Sequence, residues 1–350
     1  MENTTKKLRR LADVLKNCST ALLVLQDNPD PDALASAIAF RKLTNTLAGI
    51  QCSIAHGGTI GRAENRALVK YLQLNLRNPQ GLDFSSFDLI ALLDTQPHTG
   101  NNCLPAGMEP DIVIDHHRCR PETRHCRFTD IRSGYGSTST IMSEYLEAAG
   151  ISPEPSIATA LLYGIRSDTQ DLGRDTTAAD IMALTKLYPQ ANKRILSQIQ
   201  RGSVQRDYFR MLSVAFANAR VYSNAVITCL YRIDNPDMIG EVADLLIRDE
   251  QTEWCLCYGF YEDKMLLSVR TEIESPSAEK IIKHIVARRG TGGGHNSYAG
   301  GQIPVEHFSD KDLARLQNTV KKAFLEMVLP DSNNLQPRPL LGSVDKDLII

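Results

Sequence analysis

The chain lacks any apolar run approaching the roughly 20 residues of a membrane-spanning helix, so no such span is expected. Its opening residues, MENTTKKLRRLADVLKNCS, lack the apolar centre of a secretory signal and read as an amphipathic helix, from which a cytoplasmic location is expected. An excess of one charge is also missing. With 39 Lys and Arg against 41 Asp and Glu, there is no whole-protein field to hold long nucleic acid, and an anionic ligand must be small and held by local basic groups. The 8 cysteines, at positions 18, 52, 103, 119, 126, 229, 255 and 257, are scattered, which argues against a disulfide framework in a chain this large. Cys103, Cys119, His125 and Cys126 match no usual zinc spacing. Aromatic residues are scarce, at 6%, yet 42% of the 350 residues are hydrophobic, enough for two domains with cores of their own.

What is present is an alternation of apolar runs and helical periods. Residues 21–26 form a continuous apolar run, followed by the turn-rich DNPDPD and a stretch of small and apolar residues at helical spacing. Segments 50–56, 87–94 and 111–115 read as further strands. The last two lack polar alternation, as strands buried on both faces do. The expected fold is α/β: an N-terminal doubly wound, mainly parallel sheet over residues 1–200, a helical linker over 201–223, a second, smaller α/β domain over 224–330 across a cleft, and a tail over 331–350. Within the second domain, 224–233, 254–261 and 264–271 read as strands, 277–288 and 310–328 as helices, and RRGTGGGHNSYAGG as a glycine loop. Leu340, Leu341, Ile349 and Ile350 are candidates for docking the tail.

Acidic groups follow several of the apolar segments: Asp30 and Asp32, Asp94, Asp115 and Asp168. Ligands of parallel sheets gather at the carboxyl ends of the strands, so these residues are candidates for one site. Pro29 and Pro31 stiffen the turn that carries Asp30 and Asp32, although Asp32 also suits a helix N-cap. His116 and His117, adjacent after a buried strand, each need polar partners where covered, which packing alone does not explain for both. Imidazole with several carboxylates suits six-coordinate manganese, magnesium or iron, and a pair of such ions can activate water and neutralise charge on an attacked phosphorus. In the second domain Gly292, Gly293 and Gly294 open the backbone to close approach, and His295 with Arg288 and Arg289 favours an anion there over a bare turn.

NPDPDALAS at 28–36, LLD at 92–94, VIDHH at 113–117, YGSTST at 135–140, LLYGIRSDTQ at 161–170, SVRT at 268–271 and GGGH with AGG at 292–301 occur in one order. In these the chain resembles the DHH phosphoesterase superfamily, and within it the oligoribonuclease and phosphoadenosine-phosphate phosphatase branch with a DHH-associated C-terminal domain. The resemblance implies two Mn2+ or Mg2+ ions, with Asp94 bridging, Asp32, His116 and Asp168 completing one position, and Asp30 contributing to the other. It implies that His117 meets the phosphate or protonates the leaving group, that Asp115 supports the histidines from behind the ligands, and that Arg270, Arg288 and the Gly292–His295 loop hold the substrate. Short oligoribonucleotides (nanoRNA) or adenosine 3',5'-bisphosphate are the implied substrates, and a homodimer is implied as well. Gln26 stands where the family carries a metal-binding histidine. The first ion is therefore expected to be weakened, and a nucleotide-binding protein with reduced turnover is one alternative, a pyrophosphatase or polyphosphatase the other.

Overall fold

The computed structural model describes residues 3–273, 275–330 and 336–342. The chain divides into two compact units, Met1–Ser203 and Val204–Ile350.

The first unit opens with α1 (Thr4–Leu15), then β1 (Thr20–Val24), α2 (Pro31–Ala48), β2 (Gln51–Ala55), α3 (Ala63–Tyr71), β3 (Leu76–Arg77), β4 (Leu89–Leu93), β5 (Ile112–Asp115) and β6 (Phe128–Ile131). Four helices follow: α4 (Thr138–Ala148), α5 (Pro155–Asp168), α6 (Ala178–Leu187) and α7 (Lys193–Gln200). The six strands form a fully parallel sheet in the order β3-β2-β1-β4-β5-β6. β4 and the apolar part of β5 are buried throughout, the continuous apolar burial their sequence calls for. Alternate residues of the central strands, such as Leu23, Ala91 and Ile114, pack with α1, α2, α4 and α5, while Leu22, Leu92 and Val113 meet Phe84, Leu104 and Met108 on the other face. The chain runs outward from β1 to β3 on one side and from β4 to β6 on the other, so the strand order reverses between β1 and β4. A crevice forms at the carboxyl ends of strands at such a reversal.

In the second unit, the region read as a linker holds α8 (Arg206–Asn218) and β7 (Arg220–Tyr222). They are followed by β8 (Ala225–Arg232), α9 (Met238–Leu246), β9 (Trp254–Tyr261), β10 (Lys264–Thr271), α10 (Ala278–Val286), β11 (Thr291–Gly294), β12 (Tyr298–Pro304), α11 (Asp310–Val328) and β13 (Arg338–Pro339). The sheet order is β11-β12-β10-β9-β8-β7-β13, antiparallel except for β8 with β9. Leu267, Val269 and Ala299 pack with α10 and α11 on one face, and Cys255, Cys257 and Leu266 with α8 and α9 residues on the other. Of the proposed tail contacts, Leu340 joins the second cluster and donates its N–H to the Ala219 carbonyl, while Leu341 is exposed. Ile349 and Ile350 lie outside the described residues.

Candidate metal centre and glycine-bearing sheet edge

The turn after β1 is built on Asp30, not Asp32. Asp30 is the N-cap of α2, its Oδ1 accepting from the Ala33 N–H at 2.9 Å, with Pro31 at the first helical position. Asp32 lies in the first turn and is fully buried. Its two oxygens accept the backbone N–H groups of Thr138 and Ser139, each at 2.7 Å. The amino end of α4, capped by Ser137, thus supplies donors to a carboxylate 106 positions away in sequence. Gly164 on α5 makes that packing possible: a Cβ there would meet Ser139 Oγ and come within 3.1 Å of the Asp32 Cα. Asp168, one helical turn further along α5, ends the helix on the same side instead of following it as the sequence suggested.

Asp94 leaves β4 with φ of 59°, a left-handed conformation that aspartate tolerates better than most side chains. Its Oδ1 accepts from the Thr138 hydroxyl at 2.9 Å, whereas Oδ2 is buried without a hydrogen-bond partner. His116, which follows β5, sets its Nδ1 against the Tyr135 carbonyl at 3.1 Å. An N–H donated there leaves Nε2 as the ligating nitrogen. Nε2 is buried and makes no directed hydrogen bond, although Asp168 Oδ2 lies 3.2 Å away and Asp94 Oδ1 3.6 Å away. His117 turns its Nδ1 to Asp115 Oδ1 at 2.8 Å and remains 41% exposed. Asp115 is fully buried and also accepts from the Gln96 amide at 2.6 Å.

Two groups of ligand atoms come together, each with all atoms within 4.8 Å of one another: Asp32, His116 and Asp168, and Asp94, Asp115, His116 and His117. Asp30 enters neither among the described residues. Covered electron-pair donors without a hydrogen-bond partner, Asp94 Oδ2 and His116 Nε2, are what a cation would satisfy, so the donors of Asp32, Asp94, His116 and Asp168 fit a divalent ion. The electrostatics agree. Burial and then the charge of Asp168 push Asp30 up to about 6 and Asp32 up to about 7, and burial with the charge of Asp32 pushes Asp94 well above the ordinary range. Burial opposes protonation of His116, but the neighbouring Asp168 carboxylate outweighs it and raises the imidazole to about 10. Asp115 behaves differently: burial would raise it, yet His117 holds it down at about 2.

In the second unit, the glycines read as a loop instead form β11, the edge strand of the sheet. Backbone pairing places Gly293 opposite Gly300, and a Cβ at Gly293 would meet nothing within 4 Å, so one face of the edge is bare. Gly294, with φ of 153°, has no room for a side chain against the Tyr298 carbonyl. His295 stacks on Tyr298 with ring centroids 4.6 Å apart. The Arg270 guanidinium lies over the same Tyr298 ring, 5.7 Å from its centroid. Its guanidinium is already held by Asp244, Ser268 Oγ and the Val269 carbonyl. Arg288 is exposed in the turn after α10.

Sequence reasoning passed over Gln96, Tyr135, Thr138 and Tyr298. Tyr135 and Thr138 lie within the YGSTST motif, but their partners are remote, and no local pattern gives either a role. Gln96, two residues beyond Asp94, and Tyr298, at the head of AGG, had position alone as a signal.

A family model for the DHH family, N-terminal domain, matches residues 21–165, and one for the DHHA1 domain matches 223–326. The uncharacterized protein MJ1633 of Methanocaldococcus jannaschii is 31% identical over 331 residues, covering 92% of this chain and 67% of that protein. The probable manganese-dependent inorganic pyrophosphatase of Deinococcus radiodurans is 29% identical over 160 residues, 44% of this chain and 48% of that protein. In fold, the chain is similar to an exopolyphosphatase-related protein from Bacteroides fragilis, with a TM-score of 0.67 at 14% identity over 92% of this chain and 98% of the other. It is also similar to RecJ in complex with Mn2+ from Thermus thermophilus, with a TM-score of 0.55 at 12% identity over 92% and 55%. With its ligand-bearing motifs at the carboxyl ends of a parallel sheet and both domain models matched in order, the chain belongs to the DHH superfamily of phosphoesterases.

Proposed function

We propose that the protein is a divalent-metal phosphoesterase acting on short oligoribonucleotides, on adenosine 3',5'-bisphosphate, or on both. The observation that carries the metal-dependent reading is the pair of buried, unpartnered atoms, Asp94 Oδ2 and His116 Nε2, set beside Asp32 and Asp168. Asp32, Asp94, His116 and Asp168 would hold manganese or magnesium, which when bound supplies charge to a phosphoryl group and lowers the pKa of water. Thr138 and the first N–H groups of α4 hold the carboxylates in place. His117, whose Nδ1 is fixed by Asp115, keeps a ring edge towards solvent from which a proton can pass to a leaving oxygen. Asp115, held ionised, favours the protonated imidazole that this donation needs.

The bare glycine edge beside the Tyr298 ring and the Arg270 guanidinium supports a substrate bearing a base and a phosphate. Glycine backbone admits close approach of a ligand, the Arg270 guanidinium is a cation for a phosphate, and the His295–Tyr298 pair is an aromatic stack against which a base can pack. A second reading, hydrolysis of pyrophosphate or polyphosphate, draws on the likeness to the Deinococcus protein, which is confined to 44% of the chain. A product time course on labelled di- to pentanucleotides, adenosine bisphosphate and pyrophosphate, with manganese, magnesium or chelator, decides between them. Metal-dependent release from the nucleotides, abolished in Asp94→Ala, is the expected outcome. Turnover confined to pyrophosphate would select the second reading, and turnover that survives chelation would reject both.

A further inference from the structure

The centre offers donors for fewer ions than its count of carboxylates suggests, and the reason lies at Gln26. The Gln26 Nε2 donates to Asp30 Oδ2 at 2.9 Å, while Asp30 Oδ1 accepts from the Ala33 N–H at 2.9 Å. Both oxygens of Asp30 thus accept hydrogen bonds, as those of Asp32 do, but among the described residues Asp30 enters neither group of converging ligand atoms, and its side-chain partner is a neutral amide. Asp27 does not step in, because its carboxylate lies in the space beside Gly57 and Cys103. The remaining donors form two groups that share His116. With Nδ1 against the Tyr135 carbonyl, His116 has one nitrogen to give, and one nitrogen ligates one ion. Asp115 and His117 in the second group are already bonded to each other.

We infer that this chain carries a single-ion centre, made by Asp32, Asp94, His116 and Asp168, in which the Gln26 amide bonded to Asp30 occupies the position of a second cation. This rests on the metal-dependent reading above and specifies its stoichiometry. An amide N–H satisfies one carboxylate lone pair without bringing a full charge, so Asp30 is stabilised locally but contributes nothing to an attacked phosphate.

Manganese binding to the full chain tests this by calorimetry, by metal content after desalting and by electron paramagnetic resonance. The expected result is one Mn2+ per chain with the spectrum of an isolated ion, unchanged in Asp30→Asn, which keeps the helix cap, and lost in Asp168→Asn. Gln26→His is expected to take up a second ion and give the broadened spectrum of a coupled pair. Two ions per wild-type chain, or loss of the ion in Asp30→Asn, would overturn the inference while leaving a phosphoesterase that still hydrolyses its substrates. A folded Gln26→His chain that stays at one ion would overturn the role given to Gln26, and failure of the wild type to bind any ion would remove the metal-dependent reading too. Should Gln26→His not fold, the wild-type and Asp30→Asn stoichiometries decide.

Discussion

Raising the pH over the metal-free protein should destabilise it. The ordinary aspartate value is 3.8, whereas burial and the Asp168 charge put Asp32 at about 7 and Asp30 at about 6. Between those limits the unfolded chain has released a proton that the folded chain still holds, so the stability these groups contribute is lost as pH rises. For Asp32 alone, from about pH 5 to its folded value, this amounts to on the order of 3 kcal/mol. His116 acts in the same direction: raised from 6.5 to about 10, it contributes stability fully below its unfolded value and loses it as pH climbs towards the folded one. Asp115, held at about 2, has the opposite sign, but its contribution is complete above the unfolded value of 3.8 and is lost only in stronger acid. For a unit of roughly 200 residues, about 2–4 °C per kcal/mol gives a fall in melting temperature of roughly 6–12 °C from Asp32 alone between about pH 5 and about pH 7, with Asp30 and His116 adding to it. Circular-dichroism melts in chelator measure it directly. Manganese should reverse the trend, because deprotonated ligands bind it more tightly as pH rises and bound metal stabilises the fold. A melting temperature that holds level or rises with pH in chelator would show that these carboxylates are not held protonated by one another.

Three further outcomes follow from the packing. Thr138→Val removes the hydroxyl that Asp94 Oδ1 accepts, and manganese affinity measured by calorimetry should fall by about tenfold or more. Gly294→Ala should cost about 1–3 kcal/mol in urea unfolding, because a Cβ there is strained and meets the Tyr298 carbonyl, whereas Gly293→Ala, facing open space, should leave stability unchanged. Arg132→Ala should destabilise the first unit by about 3–5 kcal/mol in the same assay, since the buried Arg132 joins Asp130 to Glu144 and its loss strands their charges.

Much of the architecture was legible because burial leaves a local trace. The strands at 254–261 and 264–271 and the helix at 310–328 coincide with their apolar periods, and β4 and β5 fall inside the expected runs. Shorter pieces were not legible. β3 and β13 are two residues long, and β6 spans only Phe128–Ile131, too short for any period to stand out. The glycine run was read as a loop because glycine carries no strand propensity, and it pairs only because β12 supplies the matching edge. At the candidate metal centre, residue types were legible and partnerships were not. Asp32 could be named as a candidate, but the α4 backbone that holds it comes from beyond residue 130.

The sequence by itself determined the order of the longer strands and helices, the carboxylates and histidines at the strand ends, and the departure at Gln26, since all three are written in residue type and period along a continuous stretch. Only the tertiary structure decided which of those groups converge, that Gln26 is spent on Asp30, and that the Tyr135 carbonyl turns His116 Nε2 towards Asp94 and Asp168. The reason is physical: hydrogen bonds and cation sites depend on distance and direction in space, and those are set when the parallel sheet closes against its helices.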